Sequence, residues 1–144
     1  MTESIPSLTV PGPLPTAISA PFWEAAHRGE LALQRCSDCE KWFFYAREHC
    51  PHCWSERVSW HAASGAGVIR SCSVVHRPGH VAWEPAAPYV IALIKLNEGP
   101  TMLSQLLGDQ RLAAKVGQEV KLCCVPIGKF TLPFFELVET GECP

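Results

Sequence analysis

The sequence predicts a mainly β chain made of a short N-terminal helix, a rubredoxin-like zinc ribbon and a five-stranded OB-fold barrel. Three observations support this prediction: two Cys-x-x-Cys units, a Gly-rich break after them, and five strand-like segments beyond the break. We expect the N-terminal arm and helix to occupy residues 1–29, the ribbon residues 30–62 and the barrel residues 63–144.

The composition is that of a globular protein, with 47% hydrophobic residues, 18% charged residues and a formal net charge of −2 over 144 residues. This length fits one ordinary domain, or a small module together with a compact barrel. The cations are interleaved with Asp and Glu and form no basic stripe. Nucleic acid is therefore not the favoured partner.

The N-terminal segment lacks the pattern of a targeting signal. Residues 1–21 contain five prolines and neither a basic start nor an uninterrupted apolar core, so we expect no signal peptide. The longest apolar run, residues 89–94, is too short to span a membrane. We expect a cytoplasmic protein without membrane contact, whose eight cysteines are metal ligands or buried thiols rather than disulfides.

Residues 2–15 are rich in proline and have no periodicity, which predicts an extended arm; disorder and docking on a partner are the alternatives. A short helix should follow the arm. Its signals are a capping serine, a first-turn proline, a shared apolar face and a terminating glycine. These residues are Ser19, Pro21, Phe22 with Ala25 and Ala26, and Gly29.

Strand patterns occupy most of the remaining chain. In the ribbon they cover residues 31–35 and 42–45 and the alternation around Val58 and Trp60. The barrel candidates are residues 68–76, 89–96, 101–107, 119–125 and 132–138, with a tight turn at 97–99 and a short helix at 110–116. A small sandwich or an open sheet remains an alternative, because periodicity does not give the strand order.

The cysteine pairs Cys36/Cys39 and Cys50/Cys53 are separated by ten residues. Each Cys-x-x-Cys knuckle can direct both sulfurs at one centre, and two facing knuckles complete a tetrahedron. Four thiolates suit a structural Zn²⁺ and leave no open position for water or substrate, although the same ligands can hold iron. We expect His49 and His52, beside the ligands, to be exposed.

The chain lacks the usual catalytic motifs. It contains neither a Gly-x-Ser-x-Gly elbow nor a His-Glu-x-x-His helix, and the segment 65–67 is too short for a phosphate loop. Strand alternation predicts that Cys124 faces inward as a small hydrophobe and that Cys123 faces outward, with no base placed to activate either thiol. We therefore predict no catalytic residue in this chain.

A long apolar loop follows the first barrel strand. His76 and Arg77 begin it, and His80 and Trp83 lie within it before Pro88. Trp83 either contributes to a ligand or partner surface or folds back to cap the barrel, and the sequence does not decide between the two.

Taken together, these motifs resemble the zinc-ribbon/OB-fold acyl-CoA-associated family, also called domain-of-unknown-function family thirty-five. The resemblance covers about residues 15–138. It rests on the Phe22-Trp23 helix, Gly29-Glu30-Leu31, the four cysteines, Ser64-Gly65-x-Gly67, Pro88-Tyr89-Val90 and Asn97-Glu98-Gly99-Pro100. Some members of the family lack the metal ligands, whereas this chain has all four.

The resemblance implies a non-catalytic accessory subunit in a hetero-oligomer with a thiolase-like enzyme, namely a thiolase, an acyltransferase or an aldolase. The catalytic residues would belong to that partner, whose acyl-CoA site this chain would help to form. We expect Phe22, Trp23 and Trp42 at the partner interface, and His76, Arg77, His80 and Trp83 in a loop near acyl-CoA. The rival hypotheses are a nucleic-acid-binding zinc-ribbon/OB module and a self-sufficient acyl-CoA enzyme.

Overall fold

The computed structural model describes residues 5–139, which contain one α-helix and eight strands. Helix α1 (Ala20–His27) precedes the ribbon strands β1 (Ala32–Cys36), β2 (Trp42–Phe43) and β3 (Val58–Ala62). The barrel strands are β4 (Ala66–Val75), β5 (Tyr89–Leu96), β6 (Thr101–Leu107), β7 (Glu119–Ile127) and β8 (Phe130–Leu137). Short 3₁₀ helices cover Ile5–Ser7, Val81–Ala86 and Arg111–Ala113. Within residues 5–139, no helix combines the length and the hydropathy that crossing a bilayer requires.

Helix α1 begins and ends close to the predicted positions. Phe22, Ala25 and Ala26 are buried on one face, and Gly29 follows the helix with a φ of 81°. Ser19 occupies the N-cap position, but its side chain makes no capping bond. Its hydroxyl instead accepts the backbone N–H of Thr16 at 2.9 Å, so the predicted serine cap is wrong in its chemistry.

The ribbon is a three-stranded antiparallel sheet in the order β2-β1-β3. Its two faces bury different side chains. Phe43 packs beside the buried thiols of Cys36 and Cys50, whereas Phe44 turns toward Phe22 of α1, with 5.7 Å between the ring centroids. Phe43 therefore belongs to the small cluster around the cysteines, and Phe44 to the cluster shared with the helix and the barrel.

The five remaining strands close into a barrel in the order β4-β5-β6-β8-β7, with β4 also paired to β7. Only the β6–β8 pair is parallel among the pairs of this barrel. This is the strand order of an OB-fold, so the barrel prediction is confirmed. A Cβ at Gly67 would come within 2.7 Å of both Ile94 and the carbonyl oxygen of Lys95, which explains the glycine at the entry to β4.

One apolar cluster joins the helix, the ribbon and the barrel. Phe22, Leu31 and Leu33 pack with barrel residues such as Ile94 and Phe135, all buried. Most of the buried apolar side chains of the ribbon therefore belong to a core that is shared with the barrel. Only a small cluster around the cysteines and Phe43 is local to it.

A second apolar cluster lies on the outer face of β7 and β8. Leu8 and Val10 of the arm are buried against this face, together with Ala86 of the 3₁₀ helix after β4. Residues 8–15 of the arm form neither helix nor strand and pack on the chain's own barrel, whereas Ile5–Ser7 form a 3₁₀ helix; residues 2–4 of the predicted extended arm lie outside the described residues. The strand residues beneath it are Cys123, Val125, Ile127, Phe130, Leu132 and Phe134.

Two predicted elements differ from the structure in detail. The helix expected at 110–116 is a single 3₁₀ turn, Arg111–Ala113, because Gly117 and the segment before it lead directly into β7. The first barrel strand ends at Val75 rather than at His76, which is exposed at the start of the loop.

Candidate functional site

The four knuckle cysteines come together in one cluster. The sulfur atoms of Cys36, Cys39, Cys50 and Cys53 all lie within 4.8 Å of one another. Two of the contacts, Cys36–Cys53 and Cys39–Cys50, measure 3.6 Å between sulfurs. A tetrahedron with metal–sulfur bonds of about 2.3 Å has edges of about 3.8 Å, so the cluster fits a zinc ion at its centre.

The two knuckles share one local geometry. The N–H of Asp38 donates to the sulfur of Cys36, and the N–H of His52 donates to that of Cys50, each at 3.4 Å. The residue after each second cysteine, Glu40 or Trp54, has a positive φ, 59° and 65° respectively. Each knuckle therefore turns its chain away from the metal position through a left-handed residue.

Asp38 links the first knuckle to the segment after the second. The Asp38 carboxylate accepts hydrogen bonds from the Ser55 hydroxyl and from two nitrogens of Arg57, with Nε at 3.1 Å. These bonds, above all the one from Arg57, hold the pKa of the Asp38 carboxyl below its ordinary value.

His49 and His52, beside the ligands, are exposed, as predicted, and His49 pairs with Glu56 at 3.3 Å.

The sulfur of Cys36 is prepared for metal binding. Hydrogen bonds from the backbone N–H groups of Cys39 and Asp38 outweigh the effect of burial and lower the pKa of Cys36 to about 7. A metal ligand must be the thiolate, and at Cys36 the local hydrogen bonds favour that form. At Cys53, by contrast, the hydrogen bond from the Ser55 backbone is outweighed by burial and by the contacts with the other three sulfurs, which raise the pKa to about 12.

A groove of about 340 Å³ lies on the outer face of the barrel, where α1, the ribbon and the loop after β4 meet. Strands β5, β6 and β8 form its floor. Trp23 and Trp83, which the sequence assigned to different roles, both line it. The aromatic residues in its walls and floor are Phe22, Trp23, Phe44, Trp83, Tyr89 and Phe134.

The aromatic walls are held by ring contacts. Phe22 and Trp23 make an edge-on contact with 4.9 Å between centroids, and Trp83 packs on Tyr89 with 5.9 Å between centroids. Trp83 is half-buried, so it folds back toward the barrel and still contributes to the groove surface. A further apolar pocket of about 200 Å³ lies between α1 and the ribbon and shares Phe22, Trp23 and Phe44.

The other predicted residues lie elsewhere. Trp42 lines a different groove, between the knuckles and the turn that joins β5 to β6. His76 and Arg77 are exposed at the end of β4. His80 caps the 3₁₀ helix, where its Nδ1 accepts the N–H of Ala82 at 3.1 Å.

Gln105 is a site residue that the sequence analysis missed. It is 6% exposed, lies in the groove floor on β6, and has a buried amide nitrogen without a hydrogen-bond partner. The sequence carried no clear signal for it, because the polar Ser104 directly precedes Gln105 on the same strand and alternation does not show which of the two is buried.

The described residues contain one close Ser–His pair that the sequence analysis did not predict. The Ser59 hydroxyl lies 2.8 Å from Nε2 of His61 on β3. Both side chains are exposed to solvent, and the His61 ring also contacts the Trp42 ring.

Burial raises the pKa of the Cys123 and Cys124 thiols, which makes them poorer nucleophiles at neutral pH.

Comparison with protein families supports the two-part architecture. Residues 23–59 match the rubredoxin-like zinc ribbon domain of ChsH2, and residues 60–125 match the C-terminal OB-fold domain of ChsH2. The four gathered sulfurs and the zinc-ribbon match together identify a structural zinc as the cofactor of this chain.

Curated relatives extend the match over most of the chain. A probable enoyl-CoA hydratase alpha subunit of Thermomonospora curvata is 34% identical over 93% of this chain, which spans 42% of that relative's length. A DUF35 domain-containing scaffold protein of Methanothermobacter thermautotrophicus is 32% identical over 66% of this chain and 71% of its own length. The solved Ltp2-ChsH2(DUF35) aldolase contains a chain with a TM-score of 0.77 and 33% identity, matched over 88% of this chain and 98% of that one.

Proposed function

This chain belongs to the DUF35 family, and we propose that it is a non-catalytic accessory subunit of a thiolase-like enzyme, whose acyl-CoA site it helps to form. The observation that carries the proposal is the match to nearly all of a DUF35 chain in a solved aldolase. The name of the Thermomonospora curvata relative, a probable enoyl-CoA hydratase alpha subunit, also supports a role as a subunit of an enzyme assembly.

Zinc has a structural role in this proposal. Cys36, Cys39, Cys50 and Cys53 hold the ion, and four thiolates leave no coordination position for a substrate. The metal fixes the ribbon, and the ribbon sets the position of Phe44 beside α1. The chemistry of the acyl thioester belongs to the partner.

The partner contacts the aromatic surface formed by α1 and the ribbon. Trp23 is the central residue of this contact and Trp42 adds a second point on the ribbon, whereas the predicted contact residue Phe22 is buried in the core and supports Trp23 from behind. Aromatic anchors in stable interfaces often contribute about 2 kcal/mol or more each. The half-buried state of Trp23 supports this role, since part of its ring is left for a partner to cover.

The loop after β4 lies near the acyl-CoA. Trp83 presents an apolar surface to it, and His80 shapes the turn that carries Trp83. His76 and Arg77 are exposed at the base of the loop and can contact the phosphate groups of acyl-CoA.

No observation favours the nucleic-acid alternative. A salt-dependent gel shift with the purified chain would support it.

Reconstitution with the thiolase-fold enzyme that co-purifies from the native host tests the proposal. That enzyme should be inactive or insoluble alone and active once this chain is added. The variant Trp23→Ala should weaken assembly without changing the zinc content. The matched control Trp54→Ala removes a tryptophan that is 78% exposed at the second knuckle and should assemble normally. Full activity of the partner alone, or turnover of acyl-CoA by this chain alone, would refute the proposal.

The loop is tested in the same assembled enzyme. Trp83→Ala should raise the KM for acyl-CoA several-fold, because the apolar contact contributes to substrate binding. If both the KM and the stability of the complex are unchanged, the loop does not contribute to the acyl-CoA site.

A further inference from the structure

The groove contains an unsatisfied hydrogen-bond donor. The amide nitrogen of Gln105 is buried and has no partner, although almost all buried polar groups in folded proteins are paired. The buried Gln34 of the ribbon shows the usual arrangement. Its amide nitrogen donates to the carbonyl of Arg47 at 2.9 Å, and its amide oxygen accepts the N–H of Arg47 at 2.7 Å.

The surroundings of Gln105 are apolar and uncharged. Of the residues between 5 and 139 that line the groove, none carries a charged side chain. The groove is therefore suited neither to phosphate groups nor to a charged helix face, and it fits a neutral, apolar occupant that offers a hydrogen-bond acceptor.

The apolar surface continues beyond the groove. Leu93 and Leu103 are cross-strand partners on β5 and β6, and they are 40% and 54% exposed. Leu103 also lines the groove. Exposed apolar surface beside a groove rich in Trp, Phe, Tyr and Met is characteristic of the centre of a protein–protein interface.

We propose that this groove receives an uncharged apolar segment of the thiolase-like partner's chain, which packs a side chain on Trp23 and places a backbone carbonyl on Gln105. The inference rests on the proposed function, because Trp23 is the residue placed at the partner contact there. A peptide carbonyl is the acceptor that a protein segment always supplies, and it satisfies the buried amide nitrogen of Gln105. Gln105 is thus the polar anchor of the interface.

The variant Gln105→Leu separates the free chain from the complex. In the free chain, leucine removes the unpartnered amide, so Tm should rise by about 3 °C. In the complex, the partner's carbonyl loses its donor, so affinity for the purified, immobilised partner enzyme should fall about tenfold. A role of Gln105 in folding alone would move both quantities in the same direction.

Leu103→Arg tests the apolar floor without disturbing the core, because Leu103 is 54% exposed. A charge there should reduce affinity for the partner at least tenfold at unchanged zinc content. Val116→Arg is the matched control, since Val116 is 65% exposed and lies between the third 3₁₀ helix and β7. It should bind as the wild type does.

Three results would overturn the inference. If both groove variants bind the partner with wild-type affinity, the partner segment does not occupy this groove, and the proposed accessory role is unaffected. Quenching of tryptophan fluorescence in the free chain by hexanoyl-N-acetylcysteamine, a neutral thioester, with loss of quenching in Gln105→Leu, would identify a small-molecule site instead. A wild-type chain that binds no thiolase-fold enzyme would refute the proposed function as well.

Discussion

Gly12 lies against the ring of Phe130 so closely that a methyl group on Gly12 would overlap the edge of that ring. Phe130 is the first residue of β8, and Leu8 and Val10 of the arm are buried on the same outer face of the barrel. The arm is therefore packed on the barrel over several residues, Gly12 among them.

Gly12→Ala should loosen the arm. Overlap with Phe130 forces the arm or the ring to move, which we expect to cost about 1–2 kcal/mol of unfolding free energy. Chemical denaturation in the presence of zinc measures this cost. Alkylation of the peptide containing Cys123, which packs against the cluster under the arm, should become faster. Gly79→Ala is the control, because a Cβ there meets nothing within 4 Å, and it should leave both quantities unchanged.

Cys39→Ser should abolish zinc binding and unfold the ribbon. Zinc binding in small ribbons contributes on the order of 10–16 kcal/mol, more than the local core around Phe43 can supply. The purified wild type should contain close to one zinc per chain by elemental analysis. Cys72→Ser, whose thiol lies on β4 away from the cluster, should retain the metal. A well-folded Cys39→Ser protein without metal would contradict the structural role, and an iron-loaded wild type would change the metal only.

Asp38→Asn should make the zinc site more labile. The carboxylate holds Ser55 and Arg57 and so ties the first knuckle to the chain that follows the second. With this tie weakened, we expect zinc transfer to a chromogenic chelator to be several-fold faster at unchanged metal content. Glu56→Gln provides the comparison, since the Glu56 carboxylate pairs with His49. Equal transfer rates in the two variants would show that Asp38 has no such function.

Gln34→Leu should destabilise the chain, in contrast to Gln105→Leu. Leucine at position 34 leaves the backbone N–H and carbonyl of Arg47 without their partner, at a cost of about 1–3 kcal/mol. The segment that carries Phe44 would also lose its attachment to β1. Thermal unfolding of the two variants side by side measures the contrast, and a Tm change of the same sign in both would contradict our interpretation of the two glutamines.

The strands were predictable because their signal is local. Strands β5 and β6 begin and end where alternation and the Asn97–Gly99 turn place them, and the spacing of the four cysteines predicted their cluster. Strand order was not contained in that signal. The parallel pairing of β6 with β8 joins residues about thirty positions apart. The match of five strands and one short helix to the OB-fold plan suggested a barrel, but periodicity did not show which strands pair.

The groove was only partly predictable from the sequence. Trp23 was expected at the partner interface and Trp83 in a loop near acyl-CoA, but the sequence did not show that they share one surface, because that depends on how the helix packs on the barrel. The arm was harder still. Proline-rich residues 5–15 have no periodicity, and their burial depends on an outer barrel face that is itself apolar.

The pairing of β6 with β8 is the shortest strand pairing in the barrel. Strands β6 and β8 share two residue pairs, Leu106 with Phe135 and Leu107 with Glu136, and the Ser104 hydroxyl bridges to the carbonyl of Pro133 just beside them. Amide protons at this seam should exchange with solvent before those of the longer antiparallel ladders. The groove spans the same two strands, so a segment bound in the groove would hold β6 and β8 together. Slower amide exchange at Leu106 and Leu107 in the complex would show this stabilisation.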